Sequence, residues 1–198
     1  AERGDPSAPH IEGDTRELDR QIREMAGAFS GVADSALKLA DKVGISHAAV
    51  YFAMLNGASD STPDDRAFAG VTYVIAVEAG IDVAADILRR KLKIDAVPRA
   101  YLAQVDKDAE GAYFSHGGTL KGDTLYLPWD TNPELLGERA TIVHELTHAK
   151  TDRDKAEVTN AQDEARSFEA EMRYVVGHIQ PLTGTARTQG ISEAATGS

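Results

Sequence analysis

Apolar residues recur at helical spacing along the first half of this chain, give way to short alternating runs near position 100, and return to helical spacing after position 134. Residues 1–13 (AERGDPSAPHIEG) are rich in Pro, Gly and charge and predict a disordered lead. Asp14, with Glu17 at the capping-box position, predicts a helix to about Phe29 that places Leu18, Ile22 and Met25 on one face. From Ser30 the spacing continues through Val32, Ala36, Leu39, Ala40 and Val43, and Gly44 breaks it. Ser46 caps a second piece, His47 to Leu55, ending at Asn56-Gly57. After a polar loop to Pro63, residues 64–93 predict a long helical stretch with breaks at Gly70 and Gly80. Its second part turns Val83, Ile87 and Leu88 inward and Arg89, Arg90 and Lys93 outward.

The period then changes. Residues 100–105, 112–115 and 124–127 predict short strands, with a glycine-rich segment at 116–123 between the last two. Residues 134–150 and 156–176 predict two helices around a charged loop at 152–154, with Gly177 as the stop. From Pro181 onward Gly, Thr, Ser and Ala dominate, which predicts a flexible tail. The expected organisation is a lead (1–13), an N-terminal helical region (14–95), a core (96–180) and a tail (181–198).

The composition bounds the function. The chain has 198 residues, 42% of them hydrophobic, enough for one domain with a real core. It has no apolar run of the length a membrane span needs. A net charge of −11 argues against nucleic acid as a partner, because binding it requires a basic patch. The basic cluster Arg89-Arg90-Lys91 with Lys93 reads as the polar end of a helix. Cysteine is absent, so a metal site must use His, Asp, Glu or Tyr. A chain without cysteine also suits export, since it needs no oxidative folding step.

His144-Glu145-Leu146-Thr147-His148 is an HExxH pentapeptide within a predicted helix. Residues four apart lie one turn above each other, so both imidazoles can reach one metal ion, and Glu145 can contact a water on it. The uncharged flanks Thr141-Ile142-Val143 and Ala149 fit a helix buried on its far side. A zinc site needs at least a third protein ligand. The candidates are Asp163, Glu164, Glu169, Glu171 and His178. The second helix has an apolar stripe of Ala161, Ala165, Phe168, Met172, Val175 and Val176, expected to face the core. Glu164 lies at one edge of it and is the preferred ligand; Glu169 lies at the other edge; Glu171 is expected to be solvated.

The pair HELTHA (144–149) and DEARSFEAE (163–171) resembles the gluzincin branch of the zincin metallopeptidases. Thr141 fits the longer zincin pattern, whereas Lys150 departs from it. The resemblance covers about residues 100–180 and implies an α+β, mostly helical fold with a small, mainly antiparallel sheet packed on the HExxH helix. It implies Zn2+ held by His144, His148 and Glu164, with Glu145 as general base. It also implies an edge strand along which an extended substrate adds, with Thr124–Leu127 as that strand or its neighbour. Tyr174 is the favoured oxyanion donor, with His178, Tyr126 and Tyr113 as alternatives and His116 in the glycine-rich loop as a further candidate. The expected activity is zinc-dependent hydrolysis of a protein or peptide substrate. A secreted effector or toxin-type role is expected ahead of a cytoplasmic one, because short bacterial domains of this kind occur in that setting. A peptidase that cleaves a repressor inside its own cell, and a zinc-bound binding module without turnover, are the alternatives.

Overall fold

A computed structural model describes residues 31–60, 62–104, 109–115 and 123–195, with side chains described to Ile179. The predicted lead, the helix at 14–29 and His116 lie outside the described residues. The elements are α1 (Gly31–Val43), α2 (His47–Gly57), α3 (Pro63–Glu78), α4 (Ala84–Leu88), β1 (Lys93–Val97), α5 (Arg99–Leu102), β2 (Ala112–Phe114), β3 (Thr124–Pro128), α6 (Leu136–Arg153) and α7 (Asn160–Ala195). The fold is α+β and mostly helical, with a three-stranded sheet. No helix among the described residues is long and apolar enough to cross a membrane.

Local signals fix most of the N-terminal helices. Ser46 accepts from the Ala49 N–H and caps α2, and Thr62 accepts from the Asp65 N–H and caps α3 ahead of Pro63. Gly80, at φ +67°, ends the helical run as expected, because that conformation costs a side-chain-bearing residue more. Gly70 does not break α3. It lies where a Cβ would stand 2.7 Å from the Met54 side chain, so its lack of a side chain lets α2 pack close.

The sheet order is β1-β3-β2, with β1 parallel and β2 antiparallel to β3. It is therefore mixed, not mainly antiparallel. The strand expected at 100–105 is instead the short helix α5, which Pro98 initiates with φ −60°. The first strand comes earlier, at 93–97, where a helix end was expected; there Ile94 and Val97 are buried. Lys93–Val97 crosses the expected boundary at 95/96, and one hydrophobic cluster runs from Ala36 and Phe68 through Ile94 and Leu125 to Ile142 and Leu146. A buried carboxylate ties the regions together: Asp65 of α3 accepts the Ala96 N–H at 2.7 Å. β3 is buried along its whole length, and β2 forms the edge nearest α6.

The end of the chain differs most from expectation. Thr159 and Gln162 form a reciprocal capping box, so α7 begins at Asn160 and not at 156. Its backbone stays helical past Gly177 and Pro181 to Ala195, in place of the expected stop and flexible tail. An interior glycine costs a helix only about 1 kcal/mol relative to Ala, so Gly177 alone does not end α7.

Candidate metal centre

Helix α6 buries Ile142, Val143, Leu146 and Ala149 in the core, which turns His144 and His148 toward the returning α7. The capping box sets the phase of α7 and places Asp163 in its first turn, where the helix dipole favours negative charge, with Glu164 directly after it. His144, His148 and Glu164 then converge, with ligand atoms all within 4.8 Å of one another. The two Nε2 atoms are 3.2 Å apart, and the Glu164 oxygens lie 3.4 Å from His144 Nε2 and 3.6 Å from His148 Nε2.

The other imidazole nitrogens each meet a carboxylate. His148 Nδ1 lies 2.7 Å from Asp163 Oδ2, and His144 Nδ1 lies 3.1 Å from Glu171 Oε2. Both carboxylates can accept a hydrogen bond, and with each Nδ1 so engaged the two Nε2 atoms are turned toward one another. The two Nε2 atoms and the Glu164 carboxylate thus face one point. Ligands about 2.0–2.1 Å from a tetrahedral zinc stand about 3.4 Å from one another. The observed spacings of 3.2, 3.4 and 3.6 Å match that figure, so the residues present fit zinc. The carboxylates on Nδ1 fix the orientation of each ring.

Glu145 Oε2 accepts the N–H of Tyr113 from β2 at 2.8 Å. Burial raises its carboxyl above the usual range, and the two imidazoles and the Tyr113 N–H oppose that shift. Gly111 is part of the reason the carboxylate fits: a Cβ there would stand 3.2 Å from Glu145 Cγ. The Phe168 ring meets His144 edge-on, with centroids 4.7 Å apart. These groups line a cleft of about 1040 Å³ that extends past Tyr113, Thr141, Asp152 and Lys155.

Several expected roles change. Glu171 is not solvated; it orients His144. Asp163 is an orienting group for His148 in the same way. Glu169 points outward and pairs with Arg173. Tyr174 is not at the cleft. It is buried between helices, where its hydroxyl donates to Glu78 and accepts from Arg139 Nε at 3.0 Å. Burial, with the Glu78 carboxylate, holds its phenol well above the ordinary value. His178 meets the same carboxylate, with Nε2 3.1 Å from Glu78 Oε1. Tyr126 packs in the separate cluster with Val97 and Leu102. Tyr113 does line the cleft, but its hydroxyl donates to Asp152 at 2.8 Å.

The expected core stripe of α7 is also displaced. Phe168, Met172 and Val176 are exposed, whereas Ser167 and Tyr174 are buried and Asp163, Glu171 and His178 are partly so. The facing surface of α6 carries His144, His148 and Arg139, whose nitrogens need acceptors once covered. A polar face therefore packs there. The signal in the sequence was the seven-residue spacing of Glu164 and Glu171, which puts both on one side of a helix.

Replacing Glu171 by Ala is expected to weaken zinc binding ~10-fold or more, the range for a lost outer partner of a metal-bound His. Competition titration against a chromophoric chelator measures this, and an unchanged affinity would show that the Glu171 contact does not hold the ring. Comparisons with family models, curated proteins and solved structures found no match to this chain.

Proposed function

We propose that this chain is a zinc-dependent endopeptidase acting on a protein substrate. The observation that carries the proposal is the convergence of His144 Nε2, His148 Nε2 and Glu164 at the spacing of zinc ligands, with Glu145 beside them in an open cleft. Zinc in that position supplies an acidified water and polarises a scissile carbonyl. His144, His148 and Glu164 would hold the metal, and Asp163 and Glu171 would keep both imidazoles in the donating tautomer. Glu145 takes a proton from the attacking water and passes it to the nitrogen of the leaving amine. Edge strand β2 borders the cleft on its side away from β3, a position suited to an extended peptide lying alongside, while the Tyr113 N–H itself is held by Glu145. Use as a secreted effector or toxin-type peptidase is carried by the resemblance of the motif.

The test is metal content and its effect on the fold. Protein purified without a His tag, loaded with zinc and desalted, should retain close to one equivalent by elemental analysis. Zinc at about 100 times its dissociation constant should raise the unfolding free energy by ~2.7 kcal/mol, read from denaturant midpoints. Retention below about a tenth of an equivalent, with no shift of the midpoint, rules the proposal out, because such ligand sets bind zinc tightly.

A further inference from the structure

Glu110 is a carboxylate in the cleft that the metal centre does not use. It is exposed on the bend that leads into β2 and lines the same cavity as the metal ligands. Its place is fixed from two directions. Its Oε2 lies 3.4 Å from the Thr141 hydroxyl of α6, which is equally near the Gly137 carbonyl oxygen. Gly111, the next residue, lies close on α6: a Cβ there would stand 3.2 Å from Glu145 Cγ and 3.6 Å from Thr141 Cγ2. Thr141 precedes His144 by three residues, about 4.5 Å along the helix and near the same face. Glu110 therefore stands about one helical turn from the proposed metal position.

No cation pairs with Glu110 among the described residues. Arg99, within electrostatic reach, is hydrogen-bonded to Asp130 at 2.9 Å. Lys155 lines the cleft beyond the other end of α6, on the order of 20 Å along the axis from Thr141. On the opposite wall α7 presents Phe168, 57% exposed although apolar, with its ring against His144. A carboxylate on one wall and an exposed ring on the other suit one kind of side chain, a long apolar stem that ends in a cation. Six carboxylates and one ammonium line the cleft, so it stays negative with a divalent ion bound and repels an acidic side chain. Resting on the peptidase reading, we propose that Glu110 is a specificity-determining residue that selects Lys or Arg in the substrate beside the scissile bond, with Phe168 taking the methylene stem.

The test gives zinc-loaded protein a peptide library of random sequence and reads the cleavage sites by mass spectrometry. Lys or Arg should be enriched ~10-fold over Glu at one position beside the cut, the scale of a charge reversal near a part-exposed carboxylate. Glu110→Gln should remove the enrichment and Glu110→Lys should turn it toward Asp and Glu, while both variants keep the zinc affinity of the parent. Cleavage without a basic preference, or a preference that survives Glu110→Gln, would overturn the proposal and leave the peptidase reading intact. A second arm needs no turnover. Zinc-loaded Glu145→Gln protein, with and without Glu110→Gln, is titrated with fluorescein-labelled peptides that differ only in a central Lys or Glu. The Lys peptide should bind more tightly, and the difference should vanish in the double variant. If the parent cuts nothing and this difference holds, the peptidase reading fails and the Glu110 subsite stands. Equal binding of the two peptides, or none, overturns the proposal.

Discussion

Glu145→Gln should lower hydrolysis by ~10²-fold or more while zinc content and thermal stability stay near those of the parent. Gln keeps the size and one acceptor oxygen, so the Tyr113 N–H retains its partner. What it loses is the capacity to take a proton. Substrate should still bind, and the variant should retain its protein target in a pull-down. The readout is the set of new N-termini produced from a candidate target proteome by the parent and the variant. Full activity in the variant would show that Glu145 is not the base. Loss of zinc together with activity would make it a ligand or a structural prop.

Glu164→Ala should weaken zinc binding by ~10²-fold or more, beyond the ~10–100-fold typical of an outer partner. Truncation leaves the two imidazoles to hold the ion without the carboxylate oxygens now 3.4 and 3.6 Å from their Nε2 atoms. Glu169→Ala serves as the control, because its carboxylate faces Arg173 on the outer side of α7 and should leave affinity unchanged. Calorimetric or competition titration of the two variants compares them directly. The reverse order of effects would mean that α7 is rotated by about 140° from the phase described.

Much of the site was legible in the linear sequence because it depends on short-range geometry. The i, i+4 spacing of His144 and His148 puts two imidazoles on one helical face wherever the helix lies, and Glu145 follows from adjacency. Glu164 was reachable because a six-residue connection at 154–159 forces an antiparallel return. The helix breaks at Gly44 and Gly80 and the cap at Ser46 were likewise local.

The remaining features depend on partners distant in sequence. Lys93–Val97 became a strand because β3 lies parallel beside it, 31 positions on, while the residues after Pro98 had no such neighbour and formed a helical turn. Tyr174 was plausible as an oxyanion donor by its chemistry, but Glu78, 96 positions earlier, claims its hydroxyl. Apolar periodicity pointed the wrong face of α7 inward, because the buried nitrogens of α6 reward carboxylates more than methyl groups at that contact. The sequence by itself determined which groups can ligate and which residues form the helices that carry them, since those depend on bonds within a turn or two. Only the tertiary structure decided which carboxylate faces both Nε2 atoms and which ones meet Nδ1, because that choice rests on the rotation of α7 against α6, set by contacts between residues distant in sequence.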